Sequence, residues 1–115
     1  VPMLRILAAL SLLAAMTVAG CAGGGAATVT LSNNKFDPTS LTVDAGEEVH
    51  FEVKDGAHTV TIHKAGDPTT TLLKDEQVSA GADTHFEFPT AGTYHVWCTL
   101  HGQMTSGMAM VVTVE

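Results

Sequence analysis

From Thr28 to Val114 apolar residues recur at every second position in short runs between turn signals, and this period constrains the fold more than any other feature of the chain. Thr28 to Ser32 reads as a first strand, Asn33-Asn34-Lys35 as a turn, and Phe36 and Pro38 as cover for one end of a core. Leu41 and Val43 alternate with Thr42 and Asp44 before a turn at Ala45-Gly46, and Val49, Phe51 and Val53 then alternate with His50, Glu52 and Lys54. A further strand puts His58, Val60 and Ile62 on one face and Thr59, Thr61 and His63 on the other. Residues 64 to 80 lose the alternation, and a short helical turn around Leu72 to Glu76 is compatible with their sequence. Phe86 and Phe88 mark a strand that stops at Pro89. Gly92-Thr93 opens one that carries Tyr94, Val96 and Cys98 on a common face, and Met108 to Val114 is the last. Seven to eight short strands in roughly ninety residues predict an all-β, Greek-key β-sandwich.

The chain of 115 residues is long enough for one such domain and too short for a separate catalytic module. Its first twenty residues stand apart. Arg5 is followed by an uncharged apolar run from Ile6 to Val18, about thirteen residues, which is short of a bilayer span and fits the apolar region of a secretion signal. Val18-Ala19-Gly20-Cys21 resembles the lipobox of bacterial lipoproteins, a resemblance that implies cleavage before Cys21 and diacylglycerol on its sulfur. The alternative is an ordinary secretion signal in which Cys21 is incidental. The expected organisation is a signal peptide over 1–20, a flexible tether over 21–27 rich in Gly and Ala, and a domain over 28–115. It implies an extracytoplasmic protein, lipid-anchored at the cell surface or the periplasmic face of a membrane.

Twelve Asp and Glu against five Lys and Arg give a formal charge of −7. That balance excludes nucleic acid as a natural partner and favours electrostatic steering of a basic protein. The chain holds two cysteines. With Cys21 lipidated, Cys98 is the remaining thiol in an oxidising compartment, a liability unless a metal holds it.

Cys98-Thr99-Leu100-His101-Gly102-Gln103-Met104 brings a thiolate, an imidazole and a thioether, spaced three residues apart, into one segment between strands. Soft and borderline donors of this kind select copper, and two histidines with a cysteine and a weak methionine form the blue-copper arrangement. The second histidine has to come from elsewhere. His58 is the candidate, at the start of a strand just after Asp55-Gly56-Ala57 and on the face of Val60 and Ile62. His50, His63, His85 and His95 alternate onto the opposite faces and read as surface residues. Met108, a competitor for Met104, and Met110 read as core, and Trp97, on the face of His95, as packing beneath the 64 to 80 segment.

These residues resemble the cupredoxins, particularly the amicyanin and plastocyanin branch, over roughly Val29 to Val114. Gly92-Thr93-Tyr94 leading to Cys98-Thr99-Leu100-His101, the two-residue gaps before His101 and Met104, and His58 upstream carry the likeness. It implies one type 1 copper ion cycling between Cu(I) and Cu(II), held by His58, Cys98 and His101 with Met104 as the weak axial ligand. It also implies a monomeric carrier of single electrons, with His101 nearest solvent. Leu100, Gly102, Gln103 and Gly56 would form the patch where a redox donor and acceptor dock transiently.

Two departures from the family pattern stand out. Thr59 replaces the usual Asn after the upstream histidine, and Gly102 the usual Pro after the downstream one; both predict a less rigidly braced loop. Two other readings remain open. One is copper storage, delivery or sensing without electron transfer. The other is an enzyme, against which stand the absence of a second metal cluster and of any nucleophile or phosphate-loop motif in the sequence.

Overall fold

Each alternating segment has one apolar face that needs a second layer to cover it. In the computed structural model, which describes residues 27–66 and 71–115, that second layer is another sheet. Among the described residues the strands are β1 (Ala27–Ser32), β2 (Lys35–Asp37), β3 (Ser40–Val43), β4 (Glu48–Val53), β5 (Ala57–Lys64), β6 (Thr71–Ser79), β7 (Asp83–Glu87), β8 (Gly92–Gln103) and β9 (Ser106–Val114). One sheet has the order β2-β1-β4-β7 and the other β3-β9-β8-β5-β6. β1 runs parallel to β4 and β3 parallel to β9; the other pairs are antiparallel. The all-β Greek-key sandwich expected from the alternation is the fold observed.

The inward residues are those the alternation names. Val29, Leu31, Val49, Phe51, Val60, Ile62, Tyr94, Val96, Cys98 and Val112 are fully buried, with Phe36, Met108 and Met110 almost so. Each large side chain removed from water contributes about 1.5–3 kcal/mol of transfer free energy. Asn33 and Asn34 both have positive φ, 53° and 56°, and join Ser32 to Lys35 in a two-residue hairpin turn whose hand matches the strand twist. Lys35, expected in that turn, is therefore the first residue of β2. The Asn33 N–H donates to Asp55 Oδ1 (3.1 Å), which ties this hairpin to the turn ahead of His58.

The segment from 64 to 80 departs most from expectation. The stretch from Leu72 to Glu76, whose sequence is compatible with a helical turn, is instead part of β6, paired with β5 from Ala57↔Ser79 to Lys64↔Thr71 and irregular between Ile62 and His63. β6 is an edge strand, and of its nine residues only Val78 is buried. Backbone pairing thus makes it a strand without the alternation that burial imprints on a sequence. With β2 and β6 included, the described residues form nine strands rather than seven to eight.

The signal peptide, the lipid site at Cys21 and most of the tether lie outside the described residues. No helix among the described residues is long and apolar enough to cross a membrane.

Candidate metal centre

β8 is flanked by β5 and β9, and it separates from both at one place. Its pairing with β5 ends at Thr61↔Trp97, and its pairing with β9 breaks between Trp97↔Ala109 and Gly102↔Gly107. The residues released there are Cys98, Thr99, Leu100 and His101. The first turns inward and is fully buried, and the last is exposed.

His58, at the start of β5, meets them. Its side chain is 1% exposed. Its Nε2 lies 2.8 Å from the Asp55 carbonyl oxygen, which can only accept, so Nε2 carries the proton and Nδ1 presents a lone pair inward. That Nδ1 is 3.2 Å from His101 Nδ1 and 4.0 Å from Cys98 Sγ, and His101 Nδ1 is 3.5 Å from the same sulfur. Gly56 makes room for the ring. It has φ +81°, and a Cβ there would stand 2.9 Å from His58 Nε2. The three donor atoms lie within 4.8 Å of one another, and theirs is the only such group of ligating side chains among the described residues. Two imidazole nitrogens and a cysteine sulfur converging on one point suit a copper ion by their chemistry. His58, Cys98 and His101 are positioned to bind one.

The cysteine segment is braced, contrary to the looseness that Thr59 was expected to bring. The Thr59 N–H donates to Cys98 Sγ (3.3 Å), and Thr59 Oγ1 accepts the Thr99 N–H at 2.8 Å. The same hydroxyl is 3.0 Å from that of Thr61, which donates to Asp75 Oδ1 on β6 at 3.2 Å. A hydroxyl relay anchored on a carboxylate thus does here what one Asn does in the family pattern. Sequence reasoning missed Thr61 and Asp75. The available signal was Thr at two successive outward positions of a strand that is covered on both sides.

Gly102 does not loosen the segment either. A Cβ at this position would come within 2.4 Å of the Met108 backbone nitrogen, so glycine is what allows β8 and β9 to close on each other. Met104, expected as a ligand, stands with Thr105 in the turn joining Gln103 to Ser106. It lines a cavity of about 130 Å³ with His95, Ala109 and Val111 among its walls. Leu100, expected in the docking patch, is 54% exposed, and Gln103 and Gly56, expected there too, are also exposed.

The other four histidines stand apart from the centre. His50 faces Glu48 (2.9 Å) and Asp83 (3.2 Å), which raise its pKa above the ordinary imidazole value, the hydrogen bond to Asp83 most strongly. His85 lies 3.5 Å from Glu48. His63 accepts the Trp97 indole N–H at 3.1 Å, with the two rings stacked, so Trp97 packs on His63 of β5. His95 keeps a buried Nδ1 without a hydrogen-bond partner.

Two imidazoles and a buried cysteine sulfur at the break between strands of a two-sheet Greek-key sandwich define a small mononuclear copper protein. The chain belongs to the cupredoxin-like domain family, whose model matches residues 4–112. It is similar to a proline-to-glycine variant of amicyanin in its reduced Cu(I) form at pH 4, with 28% identity and a TM-score of 0.65 over 79% of this chain and 83% of that one. It is likewise similar to amicyanin from Paracoccus versutus, with 26% identity and a TM-score of 0.64 over 78% of this chain and 81% of that one. Dithionite-reduced auracyanin from Roseiflexus castenholzii shares the fold, with 21% identity and a TM-score of 0.59 over 78% of this chain and 96% of that one. No curated protein sequence matches the chain.

Proposed function

We propose that this chain is a type 1 copper protein that carries single electrons between extracytoplasmic redox partners and is tethered to a membrane by lipid on Cys21. The observation that carries the reading is the convergence of His58 Nδ1, His101 Nδ1 and Cys98 Sγ to within 4.8 Å of one another. Bound there, copper supplies a one-electron couple between Cu(I) and Cu(II). His58 and Cys98 hold their donor atoms within the core, where packing keeps them in place in either state. The Thr59–Thr61–Asp75 relay fixes the backbone that follows the cysteine. A methionine thioether completes the set, and the spacing of the sequence motif nominates Met104.

His101 is the exposed member and the edge nearest a partner. Leu100, Gly102, Gln103 and Gly56 around it form a weakly polar patch suited to brief encounters, and the net charge of −7 favours a basic donor or acceptor. The protein acts as a monomer, without nucleic acid and without catalysis of its own. The burial of Cys98 and His58 argues against storage or delivery, which need a site that exchanges its metal readily.

Voltammetry of the copper-loaded chain tests the proposal, together with electron self-exchange in an equal mixture of reduced and oxidised protein. A reversible one-electron wave and rapid exchange that slows in Leu100→Glu are expected. An irreversible wave with loss of copper on reduction would overturn electron transfer in favour of metal delivery. Mass spectrometry of the membrane fraction tests the anchor: a diacylglyceryl adduct on a chain beginning at Cys21 is expected, and an unmodified Cys21 would contradict it.

A further inference from the structure

We infer that the thioether completing the copper site comes from Met108 rather than from Met104; the inference rests on the copper-site reading above. The register of β8 against β9 carries it. Trp97 pairs with Ala109 and Gly102 with Gly107, so the four residues from Cys98 to His101 bulge opposite a single residue of β9, and that residue is Met108. Opposed residues of an antiparallel pair have their Cα atoms about 4.5–5.5 Å apart and their side chains on the same face. Continuing the step from Val96↔Met110 puts Met108 across from Cys98, on the inner face that Tyr94, Val96 and Cys98 share. Met108 is 2% exposed and His58 1%, so both are buried as Cys98 is.

Gly102 supports this placement. Only a residue without a Cβ tolerates the approach of the Met108 backbone, and that approach draws β9 against the ligand segment. Met104 occupies the hairpin turn, and the cavity it lines is walled by His95, Ala109 and Val111, which alternate away from the face of Cys98, as well as by Met110, which shares that face. Ordinary core packing would also bury Met108, but it describes Met110 equally well, and Met110 faces Val96 rather than a ligand.

The test compares the copper-loaded chain with Met104→Leu, Met108→Leu and Met110→Leu by visible absorption, electron paramagnetic resonance and reduction potential. Met to Leu conserves volume and costs under about 1.5 kcal/mol, so all three variants should fold. Met108→Leu alone is expected to redistribute the thiolate-to-copper bands, change the copper hyperfine pattern and shift the potential upward, while the other two superimpose on the parent. A shift in Met104→Leu, or no shift in Met108→Leu, with the thiolate band intact in the parent, overturns the inference and leaves the copper reading standing. A parent chain that binds copper without that band overturns both. A selenomethionine-labelled chain carrying Met104→Leu and Met110→Leu needs no change at Met108. X-ray absorption at the copper edge of its reduced form is expected to show a selenium neighbour, and absence of selenium there would also overturn the assignment.

Discussion

Two regions of this small domain gather histidines, and their difference explains why one of them is a metal centre. On the four-stranded sheet, His50 turns both ring nitrogens toward carboxylates, Glu48 and Asp83, and the His85 ring lies tilted beside it with centroids 5.5 Å apart. At the break in β8, His58 gives one nitrogen to a backbone carbonyl and turns the other toward His101 and a buried sulfur. The first arrangement satisfies a proton. The second gathers two ring nitrogens and a sulfur with no carboxylate among them, a donor set that suits a soft cation. What distinguishes the two is the partner each nitrogen faces, since both histidines sit on strands of the same sandwich.

The largest effect separating the regions is on copper affinity. His58→Ala is expected to weaken Cu(II) binding by more than about 100-fold, beyond the roughly 10–100-fold typical of removing a residue that only hydrogen-bonds to a ligand, whereas His50→Ala leaves it unchanged. Competition titration with a chelator of known affinity measures both, and equal losses would erase the distinction.

Next in size are changes to the backbone frame of the site. Gly102→Ala pushes a methyl group against the Met108 backbone and is expected to cost about 1–3 kcal/mol in denaturant unfolding of the metal-free chain. Thr59→Val keeps the shape and removes the acceptor of the Thr99 N–H, at a cost of about 1–3 kcal/mol for the orphaned donor, with a shift of the thiolate-to-copper band. If the valine variant matched the parent in both stability and spectrum, the hydroxyl relay would have no part in bracing the site.

The smallest effect belongs to the carboxylate-bound histidine. Asp83 first and then Glu48 raise the folded-state pKa of His50 above its ordinary 6.5. Its contribution to stability is therefore fully present below 6.5 and fades as pH rises through the raised folded value. Thermal unfolding between pH 6 and 8 should show a small loss in the parent that His50→Gln lacks, small because the pair is exposed. Glu76 has the opposite sign. Lys74 and then Thr84 hold it below the ordinary carboxylate value, so its contribution is present above 4.5 and is lost as pH falls through its lowered value.

What the sequence displayed of this molecule follows burial. Strands with one wet and one dry face, such as β4 and β8, print their period on the chain, and the cysteine-to-histidine spacing prints the ligand segment. β6 left no such imprint because solvent covers nearly all of it. The brace through Thr61 and Asp75 was equally silent, since it depends on a pairing between β5 and β6 that alternation alone does not reveal. The methionine question has the same origin. Spacing along the chain favours Met104, whereas the residue opposite the ligand segment is fixed by the register between β8 and β9.

The measurement that bears most directly on the central claim is the visible absorption and electron paramagnetic resonance of the Cu(II)-loaded chain beside Cys98→Ser. An intense thiolate-to-copper band with narrow copper hyperfine splitting, both lost in the serine variant, is the predicted result. A pale spectrum that the serine variant reproduces would contradict the account.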